Sequence, residues 1–398
     1  DYIAYHLRHD ASRRKLDDYF TGTTIKHFTG RALARYEMRL PPRQEQRRIV
    51  AKIESLFERS RRAKQALDAI PPLLDKLRQS ILAAAFRGDL TADWRAQNPN
   101  VEPADKLLER IRTERRDRWE QTELAKMRAK GKEPTNDQWK AKYKEPEALN
   151  TSQLPDLPSG WKYAPLEALS SKISDGVHKK PNYVAEGVPF VTVKNLTAGA
   201  GISFEKLNYI TPEDHEEFKK RTDPENGDIL ISKDGTLGVV RAVRTDKVFN
   251  VFVSVALVKP LDYGLTDYLE HVLTCPQVQG RISGTGSGLQ HIHLKDLRRF
   301  AIPIAPPAEH VAIVKQVDRA LKRLSALEQA FKNAASKQGA MDQAILAKAF
   351  RGELVEQDPN DEPASVLLER IRAAREAAKP VKKKKAKRRV GGKKNAEI

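Results

Sequence analysis

Apolar residues recur every three to four positions in two long stretches of the chain, which predicts two amphipathic helices. The first stretch follows Pro41-Pro42 and the second follows Pro306-Pro307, and proline pairs of this kind end an extended segment. Each stretch stops at a glycine, Gly88 or Gly352, which suits a helix C-cap. The apolar stripes are formed by Ile49, Ile53, Leu67, Ile81, Phe86, Ile313, Val317, Leu324, Ile345 and Phe350.

Each of these stripes needs a partner, because a helix this long cannot cover its own apolar face. We expect the two helices to pack on each other as a coiled coil. The alternative is that each helix packs on its own neighbouring domain. In both cases the stripe residues are predicted to be helix-pairing or partner contacts.

Between the two helices the pattern changes to short β-rich runs separated by Gly, Asp and Pro. The runs are "VPFVTVKNL" (188–196), "GDILISKDGTLGVVRAV" (227–243) and "VFNVFVSVALVKP" (248–260). They predict a globular mixed α/β domain over residues 159–304. The charged, tryptophan-containing stretch before it, 113–158, is predicted to be a partly helical linker. The fold class is therefore α+β.

The chain contains a long internal repeat. "ILAAAFRGDL" at 81–90 returns as "ILAKAFRGEL" at 345–354, an offset of 345 − 81 = 264. The match continues in register from 21–90 onto 285–354, and "NPNVEPADKLLERIR" (98–112) matches "DPNDEPASVLLERIR" (358–372) at an offset of 260. Residues 1–40 echo 267–304, beginning with "DYI" against "DYL". This period far exceeds the ~20–50 residues of solenoid repeats, so we interpret it as a duplicated module.

The formal net charge of +19 favours a polyanionic partner such as nucleic acid. Ten of the positive charges lie in 379–394, so about +9 remains on the rest of the chain (19 − 10). We expect 379–398 to be a disordered basic tail. The single cysteine, Cys275, excludes a disulfide framework. With no apolar run of the ~18 residues that a membrane span needs and no signal-peptide pattern, a cytoplasmic location is predicted.

The chain resembles the specificity subunit of prokaryotic type I restriction-modification enzymes. The resemblance rests on "LPSGWKYAPLEAL" (157–169), "GVPFVTVKNL" (187–196), "NGDILISKDGTLGVV" (226–240), "GSGLQHIHLKDLRRFAIPIAPP" (286–307), "LPPRQEQRRIVAKIE" (40–54) and the paired "AFRG" helix endings. It implies a sequence-specific, non-catalytic DNA-binding subunit that reads a bipartite target with two target-recognition domains. It also implies that the two helices pair antiparallel, as a pseudo-symmetric arm between these domains.

The resemblance further implies the partners. These are double-stranded DNA, methyltransferase (M) subunits docked on the helical regions, and a restriction (R) translocase-nuclease subunit. S-adenosylmethionine, ATP and Mg²⁺ are expected on the partner subunits and none on this chain. The expected layout is 1–40, the remnant of a truncated first recognition domain; 41–112, the first conserved helical region; 113–158, the linker; 159–304, the second recognition domain; 305–378, the second helical region; and 379–398, the tail.

Within the recognition domain, loop lysines are candidates for phosphate contacts, and amide, imidazole and aromatic side chains for base contacts. The predicted DNA-binding residues are Lys179, Lys180, Tyr183, Lys194, Asn195, Lys233, Asp234, Thr236, Gln290 and His291. The turn residues Asp234 and Thr236 are included because of the resemblance. The alternative for any single residue here is a solvated surface side chain, and Tyr183 could instead pack within the domain.

Other chemistries have weaker support. His291 and His293 lack the Cys or carboxylate partners of a metal site, so surface or satisfied histidines are expected. "DPENGDILISK" (223–233) resembles a metal-dependent nuclease core but lacks the second carboxylate, so a divergent single-chain endonuclease acting through Asp228 remains an alternative. A non-specific coiled-coil binder that uses the basic tail is a third. His310 replaces Gln46 of the first copy at what we expect to be an exposed helix start.

Overall fold

The computed structural model describes residues 1–20, 27–281 and 291–378. These residues form two units. Unit 1 combines Asp1–Ile70 with the chain from Gln329 onward, and unit 2 is Pro71–Glu328. This division falls inside both predicted helical regions, because each region contributes residues to both units.

Helices dominate the described residues. In chain order they are α1 (Tyr2–Ser12), α2 (Gly30–Arg35), α3 (Arg43–Asp68), α4 (Ile70–Phe86), α5 (Ala92–Gln97), α6 (Ala104–Ala129), α7 (Val193–Thr197), α8 (Pro212–Lys219), α9 (Thr266–Thr274), α10 (Pro276–Gln279), α11 (Leu294–Arg298), α12 (Pro307–Arg351) and α13 (Ala364–Ala377). Short 3-10 turns cover Asp17–Tyr19, Asp89–Thr91, Asp137–Lys142 and Tyr263–Leu265.

The strands of the described residues belong to unit 2. They are β1 (Lys162–Pro165), β2 (Ser170–Asp175), β3 (Tyr183–Val184), β4 (Val188–Val191), β5 (Asn208–Ile210), β6 (Ile229–Ser232), β7 (Val240–Ala242), β8 (Asn250–Val251), β9 (Val255–Pro260) and β10 (Ala301–Ile304). They form sheets with the orders β2-β9-β6-β7, β3-β5-β4-β8 and β1-β10.

The central strand β6 shows how the core of unit 2 is built. Side chains on a strand alternate between the two faces of its sheet. Ile229 and Ile231 join the main apolar cluster, whereas Leu230 joins a second cluster with Val191 and Phe249. Ile229, Leu230 and Ile231 are all buried. Because both faces of the strand are covered, 229–231 is an uninterrupted apolar run.

The two predicted long helices differ in continuity. In the first copy α3 ends at Asp68 and α4 begins at Ile70, whereas the second copy is one helix of 45 residues, α12. Pro71 and Pro72 stand in the first turn of α4, the position in a helix that tolerates proline. Both predicted glycine stops have a left-handed backbone, with φ of +84° at Gly88 and +81° at Gly352.

In unit 1, α3 packs on the last part of α12. Ile49 and Ile53 share an apolar cluster with Ile345, and the Oγ of Ser60 donates to Oδ1 of Asp342 at 2.7 Å. Residues further along α3 thus meet residues earlier in α12, so the two segments run antiparallel within this unit. Phe350 is half-buried beside the same cluster and Leu67 is half-buried on α3.

In unit 2, α4 and the first part of α12 also run antiparallel. Nη2 of Arg78 donates to Oε1 of Glu328 at 2.6 Å, while Phe86, at the end of α4, shares the main core with Ile313 and Val317 near the start of α12. Leu324 is buried and Ile81 is half-buried. Helix-to-helix packing and helix-to-domain packing therefore occur together in this unit.

One predicted β-run is only half strand. β4 ends at Val191 and is followed by α7, so Lys194 and Asn195 are helical. The cause is local: Thr192 and Asn195 form a capping box in which each side chain bonds the other's backbone. The predicted linker 113–158 contains the second half of α6, which starts inside the preceding region.

Candidate nucleic-acid interface

Two loops meet at one edge of the main sheet of unit 2. β2 and β6 each pair antiparallel with β9, so they run in the same direction. Asp175 at the end of β2 faces Ala256, and Ser232 at the end of β6 faces Val255. The segments that follow these strands, 176–182 and 233–238, therefore lie side by side; together with Asp175, Arg221 and residues 291–293 they are called the tip surface.

Asp175 joins three chain segments at the tip surface. Its buried carboxylate accepts a hydrogen bond from Nη2 of Arg221, lies 3.2 Å from Nε2 of His178 and lies 3.5 Å from Nζ of Lys233. Burial opposes ionisation, but the bond from Arg221 and the nearby positive charges together hold the pKa of Asp175 below its ordinary value. The carboxylate thus fixes the base of both loops.

Lys233 is an internal cation of the tip surface. Its side chain is 9% exposed, and its Nζ lies between Asp175 at 3.5 Å and Asp234 at 3.6 Å. Its backbone N–H donates to the carbonyl of Ser254, and its carbonyl accepts from Ile292. A lysine paired in this way is not available to a phosphate, so we leave Lys233 out of the proposed contact set.

Asn195 is likewise engaged within the domain. Its Oδ1 accepts from the backbone and hydroxyl of Thr192, and its Nδ2 donates to the carbonyl of Ser203. Because the side chain is buried and its amide oxygen and nitrogen are both occupied, Asn195 shapes α7 rather than presenting an amide to a base edge. Lys194 beside it is exposed.

The turn 233–238 presents its tip to solvent. β6 and β7 pair antiparallel, as the Asp-Gly signal predicts, but the connection is longer than a two-residue turn. The hydroxyl of Ser232 accepts from the backbone N–H of Val239 at 2.8 Å, and the carbonyl of Ser232 accepts from Gly238. These bonds close the turn below its exposed residue Thr236 and its half-buried residue Asp234.

His291 supports this turn from the side. It forms a bridge with Asp234, and its Nε2 lies 3.2 Å from Nδ1 of His293. The two rings are in contact, with their centroids 4.2 Å apart. No group of three or more His, Cys, Asp or Glu side chains that could hold a metal ion occurs in residues 1–20, 27–281 and 291–378.

The loop after β2 carries the exposed positive charges. Lys179 is exposed and its Nζ lies 2.9 Å from Oε2 of Glu217, whereas Lys180 is exposed and has no ion pair with the part of the chain that the structure describes. Tyr183 is 48% exposed and places its ring edge against Phe190 at 6.1 Å between centroids. Tyr183 therefore packs in the domain with one part of its surface and presents another to solvent.

The structure places one unpredicted residue, Arg221, at the tip surface. It gives no information on the predicted DNA-binding residue Gln290. Arg221 was missed by the sequence analysis, although "KKR" at 219–221 could have drawn attention to it. Its side chain is 48% exposed while it holds Asp175. Gln290 lies outside the described residues, as does the basic tail 379–398.

Known proteins with a similar sequence are type I restriction enzyme specificity subunits. The profile of the type I restriction modification DNA specificity domain matches residues 158–336. The chain is 26% identical over 372 residues to the type I restriction enzyme EcoBI specificity subunit of Escherichia coli, covering 90% of this chain and 68% of that protein. It is 23% identical over 394 residues to the EcoKI specificity subunit of Escherichia coli strain K12, covering 95% and 72%. Residues 158–336 thus match this specificity domain, and most of the chain is similar to type I restriction enzyme specificity subunits.

A solved structure agrees with this fold. The chain superposes with a TM-score of 0.60 and 22% identity on a chain from a structure titled "Structural basis underlying complex assembly and conformational transition of the type I R-M system", covering 88% of this chain and 71% of that chain. The mixed helix and sheet architecture predicted from the sequence is thus confirmed. No described helix is long and apolar enough to cross a membrane.

The acidic segment around Asp228 is enclosed by its own domain. Asp228 is fully buried, and its carboxylate accepts from Nζ of Lys259 at 2.7 Å, the backbone of Glu225 at 2.8 Å and the hydroxyl of Tyr263 at 3.2 Å. Burial is the main reason that the pKa of Asp228 is raised. A carboxylate closed off in this way supports the fold of the domain, and the comparisons do not support the nuclease alternative.

One expectation about the second helix start is wrong. His310 is buried rather than exposed, with its ring 4.4 Å from that of Tyr268. Its counterpart Gln46 is half-buried and donates to the carbonyl of Pro41 at 2.8 Å. The replacement puts an imidazole into the core at a position where the other copy carries a hydrogen-bonding amide.

Proposed function

We propose that this chain is the sequence-specific DNA-recognition subunit of a type I restriction-modification complex and is not itself catalytic. The observation that carries the proposal is the specificity-domain match over 158–336, which contains the whole tip surface. The tip surface reads one part of a bipartite target. The paired helices connect this domain to a second recognition domain, as a coiled coil with pseudo-symmetry.

The tip surface offers both kinds of contact that sequence-specific binding requires. Phosphate contacts give affinity and position, and base-edge contacts give specificity. Lys179 and Lys180 lie in the exposed loop after β2, and Thr236 is at the exposed tip of the turn. We assign the phosphate contacts to the loop and the base contacts to the turn, with Asp234 and His291 holding the turn in place.

The partners follow from this role. Methyltransferase subunits dock on the helical regions and bring S-adenosylmethionine, and a restriction subunit brings ATP-driven translocation and Mg²⁺-dependent cleavage. This chain recognises the DNA target and provides the scaffold on which the other subunits assemble. Action on chromosomal DNA fits a cytoplasmic location in a prokaryotic cell.

Methylation of random-sequence DNA tests the function directly. The chain is co-purified with the methyltransferase subunits of its system and incubated with the DNA library and S-adenosylmethionine, and the modified sites are sequenced. We expect one defined recognition sequence, and Thr236→Val should change the preferred base within it. Methylation without sequence preference would contradict the proposed function.

Replacing Lys180 should weaken DNA binding without changing the sequence that is read. The ammonium group of Lys180 is exposed and forms no ion pair with the described residues, so Lys180→Ala removes about one phosphate contact. We expect the slope of log K against log salt concentration to become shallower by about 0.9. The slope is measured by fluorescence anisotropy of the complex with specific and with random duplexes.

Lys162 provides the matched control for this experiment. It is an exposed lysine on β1, whose sheet does not contain the strands of the tip surface. Lys162→Ala should leave the salt slope unchanged. Equal slopes for Lys180→Ala and the unmodified chain would remove the loop after β2 from the DNA interface.

A further inference from the structure

The duplicated sequence builds the same aromatic contact in both units. In unit 2 the rings of Phe86 and Tyr268 meet edge to face with centroids 5.3 Å apart. In unit 1 the rings of Phe350 and Tyr2 meet edge to face at 5.5 Å. These residues are related by the repeat, at offsets of 264 (350 − 86) and 266 (268 − 2).

The tyrosine hydroxyls extend this equivalence. The hydroxyl of Tyr268 donates to the carbonyl of Pro303 at 2.8 Å, and that of Tyr2 donates to the carbonyl of Arg39 at 3.1 Å. Pro303 and Arg39 are again 264 positions apart (303 − 39). The two units therefore share local geometry, and contacts in one can be compared with those in the other.

In unit 2 a buried glutamate next to this core accepts hydrogen bonds at both carboxylate oxygens. Glu309 is fully buried. Its Oε1 accepts from the hydroxyl of Thr91 and from Nη1 of Arg95, each at 2.6 Å. Its Oε2 accepts from the indole nitrogen of Trp161 at 2.9 Å. Such charge-assisted bonds compensate the cost of burying the carboxylate.

The segment Pro158-Ser159-Gly160-Trp161 brings that indole into place. A Cβ added at Gly88 would lie 2.5 Å from Cγ of Pro158, so the glycine leaves room for the proline. The carbonyl of Gly160 accepts from the backbone N–H of Ala104, the first residue of α6, at 2.8 Å. The first residues of the recognition domain, 158–161, thus pack between Gly88, at the end of α4, and the start of α6.

In unit 1 the same position is a cavity. Its volume is about 630 Å³, and its walls include Tyr2, Pro42, Glu45, Phe350 and Gly352. At the offset of 264, the last four of these correspond to Pro306, Glu309, Phe86 and Gly88 of unit 2. This volume is enough for an indole and its neighbouring backbone.

Glu45, the counterpart of Glu309, lacks equivalent partners. It is 6% exposed, and its carboxylate makes no hydrogen bond or ion pair with residues 1–20, 27–281 or 291–378. The carboxylate oxygens of Glu45 therefore keep acceptor sites that no described donor fills. An N–H donor that entered the cavity could form a charge-assisted hydrogen bond with this carboxylate.

The helix after the cavity shows the same contrast. Ile111 on α6 is 4% exposed and lies in the main core of unit 2. Ile371 on α13, its counterpart at the offset of 260 (371 − 111), is 39% exposed. In unit 2 a carboxylate and a helix face meet the domain opening, and within the described residues their counterparts in unit 1 lack such a contact.

We propose that the cavity of unit 1 is a docking site for a polypeptide segment with the chemistry of residues 158–161, the opening of a recognition domain. The tryptophan indole enters the cavity and donates its N–H to Glu45. The proline lies against Gly352, and the backbone of the segment meets the start of α13. This inference concerns assembly and does not depend on which DNA sequence is read.

A labelled peptide tests the site on the full chain. The probe is a fluorescein-labelled peptide with the sequence of residues 153–165, QLPDLPSGWKYAP, titrated by fluorescence anisotropy. We expect saturable binding, reduced by at least about tenfold in Glu45→Ala, since a hydrogen bond to a charged acceptor is lost. A peptide with alanine in place of tryptophan should not bind. Glu54→Ala, an exposed glutamate on the same helix, should bind the peptide like the unmodified chain.

Glu45→Gln is a second variant that controls for possible misfolding of Glu45→Ala. It keeps the size of the side chain and one acceptor but loses the charge, so peptide binding should weaken by a smaller factor than in Glu45→Ala. Equal binding by the unmodified chain and both variants, or no binding by the unmodified chain, would overturn the proposal. A dimer of the full chain that Glu45→Ala dissociates, without peptide binding, would overturn it too, because a second copy would then be the occupant.

Discussion

Replacing Glu309 by alanine should destabilise unit 2 by about 3 kcal/mol. Removing one partner of a buried ion pair costs about 3–5 kcal/mol because the other charge stays buried. The lower end applies here, since the Arg95 side chain is 22% exposed and keeps some contact with solvent. The indole N–H of Trp161 also loses its acceptor, which adds to the cost.

Urea unfolding followed by tryptophan fluorescence measures this effect in the right unit. The four tryptophans of the chain, at 94, 119, 139 and 161, all lie in unit 2. The signal therefore reports this unit even if the whole chain does not unfold in one step. We expect a lower midpoint with an unchanged slope, since the surface exposed on unfolding is the same.

Glu45→Ala is the matched control in the other copy. Glu45 occupies the equivalent position but forms no hydrogen bond or ion pair with the described residues, so its removal leaves none of them unpaired. Its removal should therefore change the free energy of unfolding of unit 1, followed by circular dichroism, by less than about 1 kcal/mol. Equal losses for Glu45→Ala and Glu309→Ala would mean that burial of the helix start, and not the ion-pair network, sets the stability at this position.

The sequence predicted the helical part of the fold because its signals are local. Gly88 and Gly352 mark helix ends by their backbone conformation, and the spacing of Ile49 and Ile53 marks a buried face. Such features depend on neighbours within a few residues. The same locality explains the error over 188–196, where the Thr192 capping box outweighs the β propensity of the valines around it.

The candidate site was predictable only in part. The loop holding Lys179 and Lys180 is visible as a charged run next to proline and asparagine. The role of Asp175 is not visible, because it depends on β2 and β6 both pairing with β9, which brings Arg221 and Lys233 to one carboxylate. Pairing between distant strands cannot be read from the spacing of residues in one sequence.

The duplication also limited what the sequence could reveal about individual positions. Glu45 and Glu309 look equivalent in the repeat, and both are buried. Their environments differ because Trp161 and Arg95, which bind Glu309, come from segments outside the matching helix starts. Equivalent residues in a repeat therefore share a backbone position without sharing partners.

Unit 2 should lose stability on mild acidification because of His310. Burial is the main cause that lowers the pKa of His310 from 6.5 to about 4, and its Nε2 is buried without a hydrogen-bond partner in the described chain. The folded state therefore disfavours the protonated ring. Stability is fully present above about pH 6.5 and falls as pH drops toward 4, by about 1.4 kcal/mol per pH unit and about 3 kcal/mol in total.

His310→Gln, which introduces the residue found in the first copy, isolates this effect. Between pH 7 and pH 5 the unmodified chain should lose about 2 kcal/mol of unfolding free energy through His310, measured by urea titration of tryptophan fluorescence. The variant should lose correspondingly less over the same range, because its side chain does not take up a proton. Parallel curves for His310→Gln and the unmodified chain would mean that other groups cause the acid sensitivity and that the imidazole beside Tyr268 can accept a proton in the folded state.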